Sequence, residues 1–144
     1  MARRAWVPER RDIIWIDCNP QVGREMKDVH PLLVLSPREF NARTGIVIGL
    51  PMTTADYNRT NPFAVSFTGP KGVESYVLSH QPKSFDWRLR RAKPHPWKRA
   101  PGERLLGSLR NLESDHRSRA LIDPGRRNRT TLATRDRSRG RRFR

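Results

Sequence analysis

The sequence predicts a mainly β domain, a small barrel or sandwich, followed by one helix and a basic tail. Short apolar or alternating segments recur with turn signals between them, as in small all-β folds. The apolar spacing changes to a helical period at Gly102–Ser114, and arginines dominate after His116. With 144 residues, of which 35% are hydrophobic, the chain can bury one small core. We therefore expect a folded domain at residues 1–116 and a tail at 117–144.

The β prediction depends on six segments in which strand-forming residues lie between turn residues. These segments are Asp12–Asp17, Leu32–Leu35, Ile46–Leu50, Phe63–Phe67, Glu74–Leu78 and Lys83–Trp87. Pro37–Ala42 is expected to form a single helical turn after Ser36. Ala92–Pro101 contains three prolines, so we expect it to be irregular.

The last predicted element is a helix with one apolar face, formed by Leu105, Leu106, Leu109 and Leu112. We expect this face to pack against the barrel or a partner subunit. From Arg117 onward there are eleven arginines, two acidic residues and few large apolar residues. Such a segment buries too little surface to offset its ordering entropy, so disorder is expected. It would bind phosphate backbones or act only as a solubilising tail.

The overall charge favours anionic partners. The formal net charge is +16, which suits nucleic acid, an acidic protein segment or an anionic membrane surface. No apolar run approaches the roughly 20 residues that span a bilayer, and the basic N-terminus lacks the hydrophobic stretch of a secretory signal. A lone Cys18 fits a reducing, cytoplasmic location. The four scattered histidines and single cysteine show no zinc-like spacing, so we expect no metal and no cofactor.

The charged stretch that precedes the second strand is the first candidate site. It carries Glu25, Lys27, Asp28 and His30, directly before an apolar run that reads as a buried strand. A loop of this kind would place a carboxylate and an imidazole at the edge of a rigid strand, where binding and catalytic groups are useful. The alternative is a solvated loop before a core strand, which the loop alone does not exclude.

The order of motifs along the chain is more specific than any one of them. The series runs DIIWIDCNP, a G-x-E whose glutamate lies six residues before a proline, HPLLVLSPREFNARTG, GLPMTT, NPFAV, a glycine-rich turn and QPKSFDWRLRRAK. From about Asp12 to about Leu112, this series resembles the MazF/PemK family of toxin endoribonucleases. The arginine-rich tail lies outside the resemblance.

The resemblance implies an SH3-like β-barrel of the MazF/PemK/CcdB type with a C-terminal helix, assembled as a homodimer. It implies a type II toxin that cleaves single-stranded RNA, often mRNA, at short sequences and without a metal. The ribose 2′-OH attacks the adjacent phosphorus, which leaves a 2′,3′-cyclic phosphate and a 5′-OH end. The implied partner is a cognate antitoxin whose acidic, disordered segment covers the RNA groove.

Three residues are the candidate catalytic groups under this resemblance. Glu25 matches the loop glutamate and would take the 2′-OH proton, and Thr53 of the P-x-T-T element would hydrogen-bond a phosphate oxygen. His30 precedes Pro31 where the family pattern has arginine. Histidine supplies no fixed charge at neutral pH but can act as an acid or base. Either His30 and Glu25 form an acid–base pair, or the substitution weakens catalysis.

Further polar residues are candidates for RNA binding, with base stacking and phosphate charge acting together. Arg24 and Lys27 are placed to replace the lost arginine charge, and Thr54 would bind phosphate or cap a turn. His80 stands where relatives often have an acidic residue or asparagine, and a solvent-facing role is its alternative. The set of RNA-binding candidates is Arg24, Lys27, Thr54, His80, Gln81, Lys83 and Arg88.

Two other functions stay open. A catalytically impaired barrel that holds RNA or an antitoxin would explain His30 in place of arginine. A CcdB-like gyrase poison would share the barrel, but it has no need of an acid–base set, so Glu25 and the P-x-T-T element favour the ribonuclease.

Overall fold

A single antiparallel sheet of seven strands makes up most of the fold. The computed structural model describes residues 5–100, 105 and 107–110. Its elements are β1 (Asp12–Asp17), β2 (Val29–Val34), α1 (Arg38–Thr44), β3 (Ile46–Thr53), β4 (Ala64–Thr68), β5 (Glu74–Leu78), β6 (Lys83–Asp86) and β7 (Lys93–Arg99). Short 3₁₀ turns occupy Asp56–Thr60 and Pro70–Gly72.

The strand order is β4-β5-β3-β2-β1-β7, and β6 also pairs with β3. The first half of β3 pairs with β6 through Ile46–Gly49, whereas its last residues, Met52 and Thr53, pair with β5. One long strand thus joins two sheet segments, and the sheet curls around it into a half-barrel. The predicted mainly β, barrel-like fold is confirmed.

Alternation along the strands divides the core between the two faces of the sheet. Ile13 and Leu33 belong to one cluster, while Ile14 and Leu32 belong to the other. The first cluster also contains Leu105 and Leu109. Leu105 and residues 107–110 are helical, so the predicted C-terminal helix is confirmed where the structure describes it. Leu106, Leu112 and the predicted tail at 117–144 lie outside the described residues.

The prediction of an irregular Ala92–Pro101 was wrong, because Lys93–Arg99 forms β7 and pairs with β1. Proline interrupts a central strand but is tolerated at a sheet edge, and β7 is the outer strand of the described sheet. The pairing also changes register between Asp12 and Ile14, which accommodates the irregular backbone. The second strand also begins earlier than expected, at Val29, so His30 lies within β2 and not in the loop before it.

Among the described residues, no helix is long and apolar enough to cross a bilayer.

Candidate active site

A cleft of about 420 Å³ opens between the β1–β2 loop and the end of β3. The loop contributes Glu25 to the lining, β2 contributes His30, and β3 contributes Thr53. The three candidate catalytic residues therefore line the same cleft. The loop also contributes Arg24 and Lys27, which are predicted to bind RNA.

The base of the β1–β2 loop is held by a pair of side-chain contacts across its two ends. The Asn19 side chain donates to the Asp28 carboxylate at 3.1 Å, and its oxygen accepts the Asp28 amide at 3.1 Å. The Cys18 amide donates to the Asp28 carbonyl at 2.9 Å. These contacts close the loop as one compact unit at the edge of β1 and β2.

The tip of the same loop is held by Gln81, which follows β5. The Gln81 side-chain oxygen Oε1 accepts the Met26 amide at 2.9 Å, and its Nε2 donates to the Arg24 carbonyl oxygen at 3.4 Å. Gln81 therefore contacts the backbone on both sides of Glu25. RNA binding by Gln81 stays a prediction, and in this structure its side chain is engaged with the loop that carries Glu25.

Glu25 forms an ion pair with Lys83 of β6, with 2.7 Å between Oε2 and Nζ. The Lys83 side chain is 16% exposed and that of Glu25 47%, so the lysine is the fixed partner and the carboxylate faces solvent. The hydrogen bond from Lys83 lowers the pKa of the Glu25 carboxyl below its ordinary value, and the charge of Lys83 and the Val22 backbone act in the same direction. Glu25 is therefore ionised at neutral pH, which is the form a general base requires.

Thr53 and His30 line the cleft and also a second, smaller pocket beside it. The Thr53 hydroxyl oxygen accepts the Ala55 amide at 3.2 Å, which leaves the hydroxyl hydrogen able to donate to a phosphate oxygen. Thr54 is exposed and lines the second pocket.

Two further predicted RNA-binding residues do not line the cleft. The His80 ring contacts the Phe63 ring, with 5.9 Å between centroids, and its Nε2 lies 3.4 Å from Nε2 of the cleft residue Gln81. Arg88 stacks on Trp87 at 4.6 Å and donates to the Ala42 carbonyl at 3.3 Å, so it lies beside α1. The structure does not bring Arg88 together with Glu25.

The second pocket contains residues that the sequence analysis did not select. Its lining includes Trp15 of β1, together with His95 and Trp97 of β7. His95 and Trp97 are missing from the sequence prediction because Ala92–Pro101 is expected to be irregular. The alternation within His95-Pro96-Trp97 is that of a strand. Among the described residues, no group of three or more histidine, cysteine, aspartate or glutamate side chains lies close enough to hold a metal ion.

The fold and this cleft place the chain in the class of small β-barrel toxins of toxin–antitoxin systems. The crystal structure of MazF from Deinococcus radiodurans superposes with a TM-score of 0.68 at 32% identity, and covers 79% of this chain and 99% of that chain. A MazE–MazF crystal structure from the same organism gives a TM-score of 0.64 at 32% identity, over 79% of this chain and 98% of that chain.

Sequence comparison gives the family. The model of the PemK-like, MazF-like toxins of type II toxin-antitoxin systems matches residues 9–112, and the chain belongs to that family. The endoribonuclease toxin MazF of Escherichia coli K12 is 37% identical over 87 residues, which are 60% of this chain and 76% of the relative. Endoribonuclease PemK of Escherichia coli is 31% identical over 96 residues, which are 65% and 71% of the two chains.

Proposed function

We propose that this toxin is an endoribonuclease that cleaves single-stranded RNA, mRNA included, at specific short sequences by transesterification and without a metal. The observation that supports this most directly is that Glu25, which is ion-paired with Lys83, lines the same cleft as His30 and Thr53. A base, a proton donor and a cation are thus present as protein side chains. The names of its MazF and PemK relatives support the same activity.

The Glu25 carboxylate removes the proton from the ribose 2′-OH, and the resulting oxygen attacks the adjacent phosphorus. The bond from phosphorus to the 5′-oxygen then breaks, and His30 donates a proton to that leaving oxygen. The products are a 2′,3′-cyclic phosphate and a 5′-OH end. Lys83 and the Thr53 hydroxyl stabilise the negative charge that accumulates on the phosphorane oxygens.

The presence of Lys83 bears on the missing arginine of the family pattern. Arginine before Pro31 would supply a fixed positive charge beside the phosphate. Lys83 places a fixed positive charge 2.7 Å from Glu25, on the rigid strand β6. His30 is then needed as a proton donor and not as a permanent charge, so the cleft keeps all three catalytic functions.

The partners follow from the same family. Because relatives were crystallised as MazE–MazF complexes, we infer that a cognate antitoxin with an acidic segment covers this cleft. The cleft lining includes Arg24 and Lys27, which suit an acidic segment as well as RNA. We further propose that the toxin acts in the cytoplasm as a homodimer.

The proposed activity is tested by incubating antitoxin-free protein with a long, structure-poor RNA in EDTA and mapping the fragment ends. We expect discrete cuts at a short recurring sequence, with 5′-OH and 2′,3′-cyclic phosphate ends. Intact RNA, from protein that is folded, would instead support the impaired barrel that binds RNA or antitoxin, which is the alternative that His30 favours. Cleavage that stops in EDTA would contradict the metal-independent chemistry.

Replacing Lys83 should shift the pH profile of cleavage. In Lys83→Met, the Glu25 carboxyl loses the hydrogen bond that lowers its pKa, so its ionised form is lost at a higher pH. We expect the acidic limb of kcat/KM to move to higher pH, and activity at pH 5 to fall more than activity at pH 7.5. Lys71→Met is the matched control, since Lys71 is exposed in the Pro70–Gly72 turn. An unshifted acidic limb would contradict Glu25 as the base.

A further inference from the structure

The active cleft is one end of a longer channel of three adjoining hollows. The cleft and the second pocket share His30 and Thr53 as walls. The second pocket in turn shares Trp15 and Val29 with a third hollow, which lies beside the segment that leads into β7. An RNA strand bound in the cleft would therefore enter the second pocket next and then the third hollow.

The second pocket has the chemistry of a nucleobase site. Its volume is about 260 Å³, which is below the 300–1,000 Å³ typical of drug-sized ligands. The Trp15 ring lies 4.6 Å from the His95 ring, which lies 5.2 Å from the Trp97 ring. Such an aromatic row gives a planar base a stacking surface.

One polar group in this pocket is suited to reading a base edge. The His95 Nδ1 accepts the Trp97 amide at 3.1 Å. Burial lowers the pKa of the His95 imidazole below its ordinary value, so the ring is neutral at pH 7 and carries its proton on Nε2. Across the described residues, no hydrogen-bond partner is recorded for that Nε2–H, which leaves it available to a base acceptor.

The third hollow has the chemistry of a phosphate site. Its lining includes Arg90, Arg91 and Lys93. The Arg90 side chain is engaged within the fold, because it donates to the Asp17 carbonyl at 2.8 Å and stacks on the Phe85 ring. Arg91 and Lys93 are exposed, and no ion pair to either side chain is recorded among the described residues.

We propose that Trp15 and His95 form a subsite for the nucleobase beside the scissile phosphate, and that Arg91 and Lys93 hold the next phosphate along the strand. The proposal rests on the proposed ribonuclease function, since it takes the cleft as the position of the scissile phosphate. Single-stranded RNA fits the alternation of stacking surface and cation, whereas a purely acidic peptide has no base to stack on Trp15.

The experiment measures binding and cleavage separately. Binding of a labelled single-stranded RNA pool is followed by anisotropy at several salt concentrations, with Glu25→Gln as the background to prevent cleavage. The double change Arg91→Ala/Lys93→Ala should reduce the slope of log K against log salt by about 0.7, since the pair holds one phosphate and each phosphate contact contributes about 0.7 for single strands. The double change Arg43→Ala/Lys71→Ala is the matched control, because both residues lie outside the channel.

Two substitutions test the base subsite. Trp15→Leu should weaken RNA binding roughly tenfold, because it removes the stacking surface. His95→Phe keeps an aromatic ring but removes the donor, so in otherwise wild-type protein the cleavage motif should relax at a single position beside the cut. A purely structural role of His95 would lower activity evenly on all sequences.

The outcomes separate this inference from the proposed function. The inference would be overturned, and the function left standing, by three results together. The wild type cleaves RNA, His95→Phe cuts at the same motif as the wild type, and Arg91→Ala/Lys93→Ala binds RNA as the control does. Binding that depends on Arg91 and Lys93, without cleavage by the wild type, would support the channel and overturn the function. If Trp15→Leu does not fold, the salt dependence of the Arg91→Ala/Lys93→Ala variant decides whether the inference holds. If a second copy of the chain fills the pocket, these substitutions would leave RNA binding unaffected, and the inference would be overturned.

Discussion

Glu25→Gln should lower kcat for RNA cleavage by about 10²–10⁴-fold, because the amide cannot accept the 2′-OH proton. The substitution is close to isosteric, and its side-chain oxygen can still accept from Lys83, so the loop is expected to keep its position. Because the change acts on the proton transfer, RNA affinity should stay within a few-fold of the wild type. The measurement is single-turnover cleavage beside an anisotropy titration.

Glu39→Gln is the matched control for this prediction. Glu39 is also exposed and also paired with a basic side chain, Arg43 at 2.9 Å, but it lies on α1 and not in the cleft. The Glu39→Gln variant should cleave RNA at the same rate as the wild type. Cleavage by Glu25→Gln within tenfold of the wild type would contradict the assignment of the base.

His30→Gln should cause a comparable loss, about 10²–10⁴-fold, because glutamine cannot protonate the leaving 5′-oxygen. His30→Arg should change activity little, since arginine restores the family pattern and its fixed positive charge can stabilise the leaving 5′-oxygen in place of a transferred proton. A strong rise in activity with arginine would show instead that His30 is the reason for weak catalysis. Both variants are measured on the mapped cleavage site under single-turnover conditions.

A substrate with a better leaving group distinguishes the general acid, His30, from the general base, Glu25. A substrate with sulfur in place of the bridging 5′-oxygen needs little protonation when the bond breaks. His30→Gln should therefore recover most of its activity on this substrate, whereas Glu25→Gln should not recover. Equal losses on both substrates would contradict the assignment of His30 as the acid.

Local patterns predicted the strands and most of the cleft, but not what depends on distant contacts. Asp12–Asp17 and Glu74–Leu78 match β1 and β5 residue for residue. The pairing of Lys83 with Glu25 joins residues far apart in sequence, and depends on how β3 places β6 against the loop. No local sequence pattern indicates that Lys83 and Glu25 lie close together.

Two of the RNA-binding candidates show the same limit. The Gln81 side chain is engaged with the backbone of a loop more than fifty residues earlier in the chain, a contact that no local pattern predicts. Arg88 follows Lys83 closely in sequence, yet it points toward α1 because the chain turns after β6. The prolines led to the prediction of an irregular segment where β7 lies. Proline is tolerated mainly in an edge strand, and whether a strand lies at the edge depends on the assembled sheet.

The prolines of β7 have a consequence for how other chains can attach to the toxin. Pro94 and Pro96 have no amide hydrogen, and the Trp97 amide is already bonded to His95. Of the four consecutive amides from 94 to 97, at most one is left to donate to an added strand. An antitoxin segment or a second chain that docks beside β7 must therefore be held by side chains and not by strand addition, and this edge cannot serve as a template for stacking copies of the protein into fibrils.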